Sequence, residues 1–404
     1  MSGERAPTAG RCAVTGAAPP TRVAVIGANG HGRWHRRAIA PLHADGRVRL
    51  VALVDVQPVR DDPVAPLPSG VQVFTDHRAM LAATRPEVVV ICTPPHTHLP
   101  IARDALTAGA DLLLAKPPVL SLAEHDELTW ALTTAGRVAQ VGFQALGSAA
   151  LTALTDALAA GRLGTVTGIA TVAAWQRPDA YYARSAWAGR RTLNGRPVLD
   201  GALANPLAHA VMQCLAVAES LGGAPPWPVA IEVERYRVRP IEVEDTAVLR
   251  IRFRAGPPVL AAVTLAAEEF VAGEVEVTGS AGRAVLEYPT DRLWLPGDVV
   301  TRRVPGRQGL LENLLAHRAD PLGVPLIAPL ARTAPFTALL DALRAAPEPR
   351  LLDGDVVDAV GDGAERVVRI RGVVDVLRRA AEQGALPSEQ GVSWAAPAYR
   401  ADLA

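Results

Sequence analysis

Short apolar runs alternate with helical stretches from Thr21 to about residue 145. TRVAVIGA (21–28), VRLVALVD (48–55), VVVICTPP (88–95), DLLLAKPP (111–118) and VAQVGFQ (138–144) are nearly continuous in apolar residues. Such runs mark strands buried on both faces. The intervening residues 31–42, 77–83, 101–110 and 121–136 read as helices. The last opens on Ser121 and Glu124 at capping-box spacing. The alternation predicts an α/β fold with a parallel, doubly wound sheet covered by helices on both sides.

Beyond residue 145 the texture changes. A helix over 148–161 leads into a strand at 165–175. Runs at 229–238, 246–255, 259–270, 273–282 and 284–289 then follow one another across short turns. Consecutive strands of this kind predict an open, mainly antiparallel sheet. Arginine recurs on alternate positions of ERYRVR and VLRIRFR, so one face meets solvent or a partner. Helices over 202–221 and 363–384 complete this second half. Residues 298–332 have no readable pattern.

Charge and composition remove several classes of function. The 41 basic and 41 acidic residues cancel, and no basic block stands out, which argues against nucleic acid and anionic membranes. No apolar run is long enough to span a bilayer. Cys12, Cys92 and Cys214 are scattered, as in a protein of the reducing cytoplasm. Histidine spacings such as HExxH are absent, so no metal is expected. Residues 1–20 lack the apolar core of a signal peptide and read as a flexible tail.

IGANGHG (26–32) follows a strand and opens a helix, where a G-x-G-x-x-G loop cradles a dinucleotide pyrophosphate. Gly27 and Gly32 hold the first and third glycine places. Asn29 stands at the second, with Gly30 beside it to restore backbone freedom. The helix start at His31 and Gly32 offers free N–H groups to phosphate. Asp55 ends the second strand, 28 residues past Gly27, where a carboxylate accepts the ribose hydroxyls. It favours NAD over NADP, although Arg60 lies near enough to serve a 2′-phosphate or to be plain surface charge.

Lys116 is the only lysine among 404 residues. It lies in AKPP (115–118), and prolines also stiffen CTPPHTH (92–98) at another strand end; such ends face the ligand crevice. An ammonium can polarise an oxygen and also exchange a proton, which a guanidinium hardly does. The chain resembles the Gfo/Idh/MocA oxidoreductases on IGANGHGRWH, TPPHTH, the A-x-x-A-L-x-A-G of residues 102–109, AKPP and the later YYARSAW with a following histidine. The resemblance covers about residues 21 to 385. It implies an N-terminal Rossmann domain, a C-terminal α/β domain with a large open sheet, and NAD(P)-dependent oxidation or reduction of sugars, inositols and their relatives. The family's Glu-Lys-Pro reads Ala115-Lys116-Pro117 here. It also implies that Thr93, Pro94 and His98 border the cofactor together with Lys116, and that Tyr181, Tyr182 and Trp187 line the substrate pocket. Those rings would suit stacking on a sugar, or equally a packed core. His96 shares the His98 loop.

The family's catalytic histidine follows an Asp or Asn by four residues, which matches Asn205 and His209. Asp200 is a rival for the carboxylate role, but Ala204 stands four residues after it. Histidine titrates near working pH and suits a base that takes a hydroxyl proton. Lys116 would then stabilise the developing alkoxide. Asn205 would bind a substrate hydroxyl or cap a helix before Pro206. The expectation is a cytoplasmic NAD(P)-dependent oxidoreductase acting on a sugar or polyol. Its alternatives are a sensor that binds the dinucleotide without catalysis, or an enzyme that uses bound NAD transiently in elimination, hydrolysis or epimerisation. Its parts would be a tail (1–20), a Rossmann domain (21–145), a substrate-binding and oligomerisation domain (146–390) and a C-terminal tail (391–404). An open sheet of long strands invites face-to-face association into a homodimer or homotetramer.

Overall fold

Five of the early apolar runs, and a sixth strand that has no apolar run, build one parallel sheet. In the computed structural model, which describes residues 19–223 and 225–403, these are β1 (Thr21–Ile26), β2 (Val48–Val54), β3 (Gln72–Phe74), β4 (Val88–Ile91), β5 (Asp111–Leu114) and β6 (Ala139–Val141). They lie in the order β3-β2-β1-β4-β5-β6, every pair parallel. Strand order therefore reverses between β1 and β4, which opens a crevice at their carboxyl ends. Helices α1 (Gly32–Ala44), α2 (His77–Thr84), α3 (His98–Thr107) and α4 (Leu122–Ala135) connect the strands. Alternate β1 side chains pack in opposite directions. Ala24 and Ile26 meet α3 and α4 through Ile101, Ala102 and Leu128. Val23 and Val25 meet α1 through Ile39 and Leu42. Ser121 caps α4 by accepting from the Glu124 N–H at 3.2 Å, and left-handed Gly136 ends it.

The second half carries α5 (Ala149–Ala159), β7 (Val166–Gln176), α6 (Asp179–Tyr182), a small hairpin of β8 (Thr192–Leu193) and β9 (Arg196–Pro197), and α7 (Ala208–Gly222). Then come β10 (Pro228–Arg237), β11 (Thr246–Phe253), β12 (Val259–Thr264), β13 (Ala266–Gly279), β14 (Gly282–Glu287), β15 (Arg292–Trp294) and β16 (Arg302–Arg303). After them lie α8 (Leu310–Ala319), α9 (Ala334–Ala345), β17 (Arg350–Leu351), β18 (Val357–Val360), β19 (Val367–Ile370), α10 (Val373–Gln383) and β20 (Tyr399–Asp402). The large sheet runs β16-β15-β14-β13-β7-β12-β11-β10-β17, with β20 on the same edge of β10 as a further partner. It is mainly antiparallel; β7 with β12, and β10 with β17, are parallel.

Several expectations are corrected. The single strand expected over 259–270 divides at Leu265, because its two parts flank β7 on opposite sides as β12 and β13. The helix expected over 363–384 begins as β19, and the helix expected from residue 202 starts only at Ala208. The unreadable stretch 298–332 holds α8, whose Leu310, Leu311 and Leu314 pack on the first sheet with Val23, Val88 and Leu113. Ala328 C=O accepts from Val141 N–H at 2.8 Å beside β6, so the chain re-enters the first domain after residue 300. The expected C-terminal tail instead folds: Tyr399–Asp402 pairs with β10, and Trp394 is buried. Residues 1–18 of the expected N-terminal tail, with Cys12, lie outside the described residues.

Both faces of the large sheet are covered by the chain itself. On one, α7 packs Val211 and Leu215 over Ile169 and Ala173. On the other, Val373, Val376, Leu377 and Ala380 of α10, with Leu386 and Trp394, cover Ala170, Val172, Leu260 and Ala262. The middle of the face expected to recruit a second copy thus carries α10 and the segment to Trp394. No helix among the described residues is long and apolar enough to cross a membrane.

Candidate active site

The glycine turn is built by close approach. Gly27 has φ +84°, and a Cβ there would lie 2.7 Å from the Cys92 carbonyl oxygen. A Cβ on Gly32 would lie 1.9 Å from the Gly27 carbonyl oxygen. Both glycines therefore seat the turn against β4 and the start of α1. Gly30 takes the left-handed conformation, with φ +53° and open space around it. Asn29 does not need that freedom. Its N–H donates to Asp55 Oδ2 (2.9 Å), its Nδ2 donates to Pro58 O (3.2 Å), and its Oδ1 accepts from Arg60 N–H (3.0 Å). Asn29 thus ties the turn to the loop after β2. Asp55 also accepts from Gln57 N–H at 3.0 Å, and its carboxylate keeps further acceptor positions at the strand end.

The loops after β4 and β5 are fastened together from behind. His98, expected beside the cofactor, is instead fully buried. Its Nε2 faces Thr93 O at 2.8 Å, and its Nδ1 faces Pro117 O and Pro118 O at 3.1 Å. With both nitrogens committed to backbone, it is a clamp between loops and has no contact left for a ligand. Thr97 Oγ1 donates to Pro94 O at 2.7 Å and shares a hydrogen bond with the Thr93 hydroxyl at 2.6 Å, which closes the first turn after β4. The Lys116–Pro117 peptide is cis.

From this loop the Lys116 ammonium reaches the second domain. Nζ donates to both Oδ1 and the backbone O of Asn205, each at 2.5 Å. Asn205 therefore does not cap α7, whose N-cap is Leu207. Its Nδ2 donates to Asp200 Oδ1 at 2.5 Å. The other oxygen of Asp200 accepts from Arg184 Nη2 (2.6 Å) and Gly189 N–H (2.9 Å). Asp200, expected to touch substrate, has a completely buried side chain with both oxygens engaged. It stands one residue behind the site.

His209 lies in the first turn of α7, its ring edge-to-face with Phe143 at 5.7 Å. Its Nδ1 is buried without a protein partner. Burial, then the charges of Lys116, His31 and Arg307, hold its pKa down at about 3. Burial lowers Lys116 to about 8, with Asp200 opposing the fall and Arg184 adding to it. His31, at the start of α1, is lowered by desolvation and then by Lys116. The Lys116 charge thus acts on His31 at the glycine turn and on His209 of α7.

The Arg184 guanidinium lies 3.8 Å from the Tyr181 ring centre and 4.8 Å from that of Trp187, and Arg239 lies 4.9 Å from that of Tyr182. Arginines of the chain itself thus lie over these rings. Tyr182 Oη is buried without a partner. Arg184 was missed by the sequence reading. Its signal was an arginine inside YYARSAW, equidistant from two aromatic positions. Among the described residues no group of three or more His, Cys, Asp or Glu side chains is placed to hold a metal.

Comparison with known proteins agrees with this fold. Residues 21–143 match an oxidoreductase family described by its NAD-binding Rossmann fold, Gfo/Idh/MocA. The chain is 32% identical over 143 residues to an inositol 2-dehydrogenase of Rubrobacter xylanophilus, and 30% identical over 125 residues to a D-glucoside 3-dehydrogenase of Escherichia coli. These stretches span 35% and 31% of this chain, but only 40% and 35% of the two relatives. The fold over 83% of the chain is similar to all of a WlbA dehydrogenase from Bordetella pertussis crystallised with NADH and UDP-GlcNAcA, with TM-score 0.66 and 22% identity. Over residues 21–143 the chain is thus similar to the Gfo/Idh/MocA oxidoreductases.

Proposed function

We propose that the protein is an NAD(P)-dependent oxidoreductase acting on a carbinol carbon of a sugar, inositol or related polyol. The observation that carries this reading is the Lys116 ammonium, at a strand exit of a dinucleotide fold, donating to Asn205 four residues before His209 of the second domain. The residues fit the cofactor. The tight Gly27–Gly32 turn leaves open space at Gly30 beside the helix start, and Asp55 retains acceptor capacity for ribose hydroxyls. Its negative charge opposes a 2′-phosphate and favours NAD. Thr93 and Pro94 would border the ring at the exit of β4. When bound, the nicotinamide supplies the two-electron acceptor or donor.

The side chains divide the proton work. Lys116 titrates at about 8, near working pH, which suits proton exchange with a substrate oxygen. His209 stays neutral above about pH 3, so it offers an accepting nitrogen. Asn205 binds the same region through its amide. The names of the two sequence relatives support a sugar or inositol as substrate. The test is absorbance at 340 nm with purified protein, NAD or NADP, and a panel of sugars and polyols. Lys116→Met is expected to lower turnover by roughly 10²–10⁴-fold. Cofactor binding without turnover of any substrate would favour a sensor instead.

A further inference from the structure

We propose that Asp200 is a positioning residue that governs the protonation of Lys116 through Asn205, with Arg184 as its counter-charge. The proposal deepens the oxidoreductase reading, on which it rests for its effect on turnover. A primary amide has one donating end and one accepting end. Asp200, as a carboxylate, can only accept, so it takes the Nδ2 end of Asn205. Oδ1 is thereby turned to Lys116, and the Asn205 backbone oxygen adds a second acceptor. The ammonium thus donates to two neutral oxygens, and the negative charge stands one side chain away.

Other groups set the balance. His31 faces Lys116 from the glycine turn and His209 from α7. Asp200 and Arg184 face it from the segment before α7. Arg184 is fixed by Tyr181 and Trp187 and by donation from Nη1 to Tyr181 O at 2.8 Å. It pairs with Asp200 at 2.6 Å and cancels part of its charge. A carboxylate directly at position 205 would hold the ammonium charged. An amide with no acid behind it would leave desolvation unopposed. The arrangement here lies between these limits, and removing either distant charge must move Lys116 in opposite directions.

The solitary lysine makes the test direct. Protein grown with lysine carrying ¹³C at Cε has one lysine side-chain resonance, and its pH titration reports Lys116 alone. The wild-type midpoint is expected at about 8. Asp200→Asn is expected to lower it by about one unit, a tenfold change in the neutral-to-charged ratio, and Arg184→Gln to raise it. Thermal melts check folding. Should Asp200→Asn fail to fold, the more accessible Arg184→Gln decides by itself. Midpoints unchanged in the folded variants would overturn the proposal. The titration needs neither cofactor nor substrate. An inert protein with shifted midpoints would sink the oxidoreductase reading and keep the relay; an active one with unshifted midpoints would do the reverse.

Discussion

Two half-buried imidazoles give the protein a direction of acid sensitivity. His209 titrates at about 3 and His35 at about 4, both below the ordinary 6.5, mainly through burial. Unfolding returns each to its ordinary value. Between pH 6.5 and about 3 the unfolded chain therefore binds protons that the folded chain refuses, and stability falls as pH drops through that window. Above pH 6.5 neither histidine changes it. A series of melts from pH 7 to 4 should show Tm falling, and His209→Asn should flatten the fall by roughly 2 °C or more. A slope identical in the variant would remove His209 from the account. Among single residues, Lys116 was legible because it is unique, and Asn205 and His209 because their spacing matched a known pattern. His98 and Asp200 misled for one reason: sequence names a polar group but not its partners. His98 meets backbone 19 and 20 residues further on, and Asp200 meets Arg184 16 residues earlier and Asn205 at a helix entry that local pattern placed six residues early.

At the scale of elements, the turn into α1 sets two preferences against each other. Within a helix, alanine is better than glycine by up to about 1 kcal/mol. At position 32 a methyl group would meet the Gly27 carbonyl oxygen at 1.9 Å, and that oxygen is backbone. Overpacking of this kind costs about 1–3 kcal/mol, so the clash wins. Gly32→Ala is expected to lower Tm and weaken NAD binding at least roughly tenfold, read by melts and calorimetric titration; unchanged binding would show that the turn can shift. The parallel sheet was readable because strands buried on both faces are apolar throughout. β3 was not, because it has three residues and two of them are exposed. β12 and β13 were read as one strand because both are apolar, and only pairing with β7 divides them.

Across the whole molecule, long-range closure was the least legible property. Nothing in the local pattern of residues 363–403 says that they cover a sheet formed 100 residues earlier. Yet α10 buries Val373, Val374, Val376 and Leu377, each burial stabilising by roughly 1.5–3 kcal/mol. Arg250 on β11 anchors the following turn through paired contacts with Glu389 at 2.7 and 2.8 Å. Deleting residues 363–403 is expected to bare the apolar face and cause self-association, which light scattering would register. A monodisperse truncated protein would show that the face tolerates water.

The return of the chain across the domain boundary bears on how this molecule can be dissected. Leu310, Leu311 and Leu314 roof a patch of Val23, Val25, Val88 and Leu113, and Arg318 reaches both Glu87 and Asp111. A fragment cut after residue 145 would keep the glycine turn, Asp55 and Lys116 yet lose that roof. The dinucleotide half is consequently no portable module: its last structural layer is encoded more than 160 residues downstream of its own final strand.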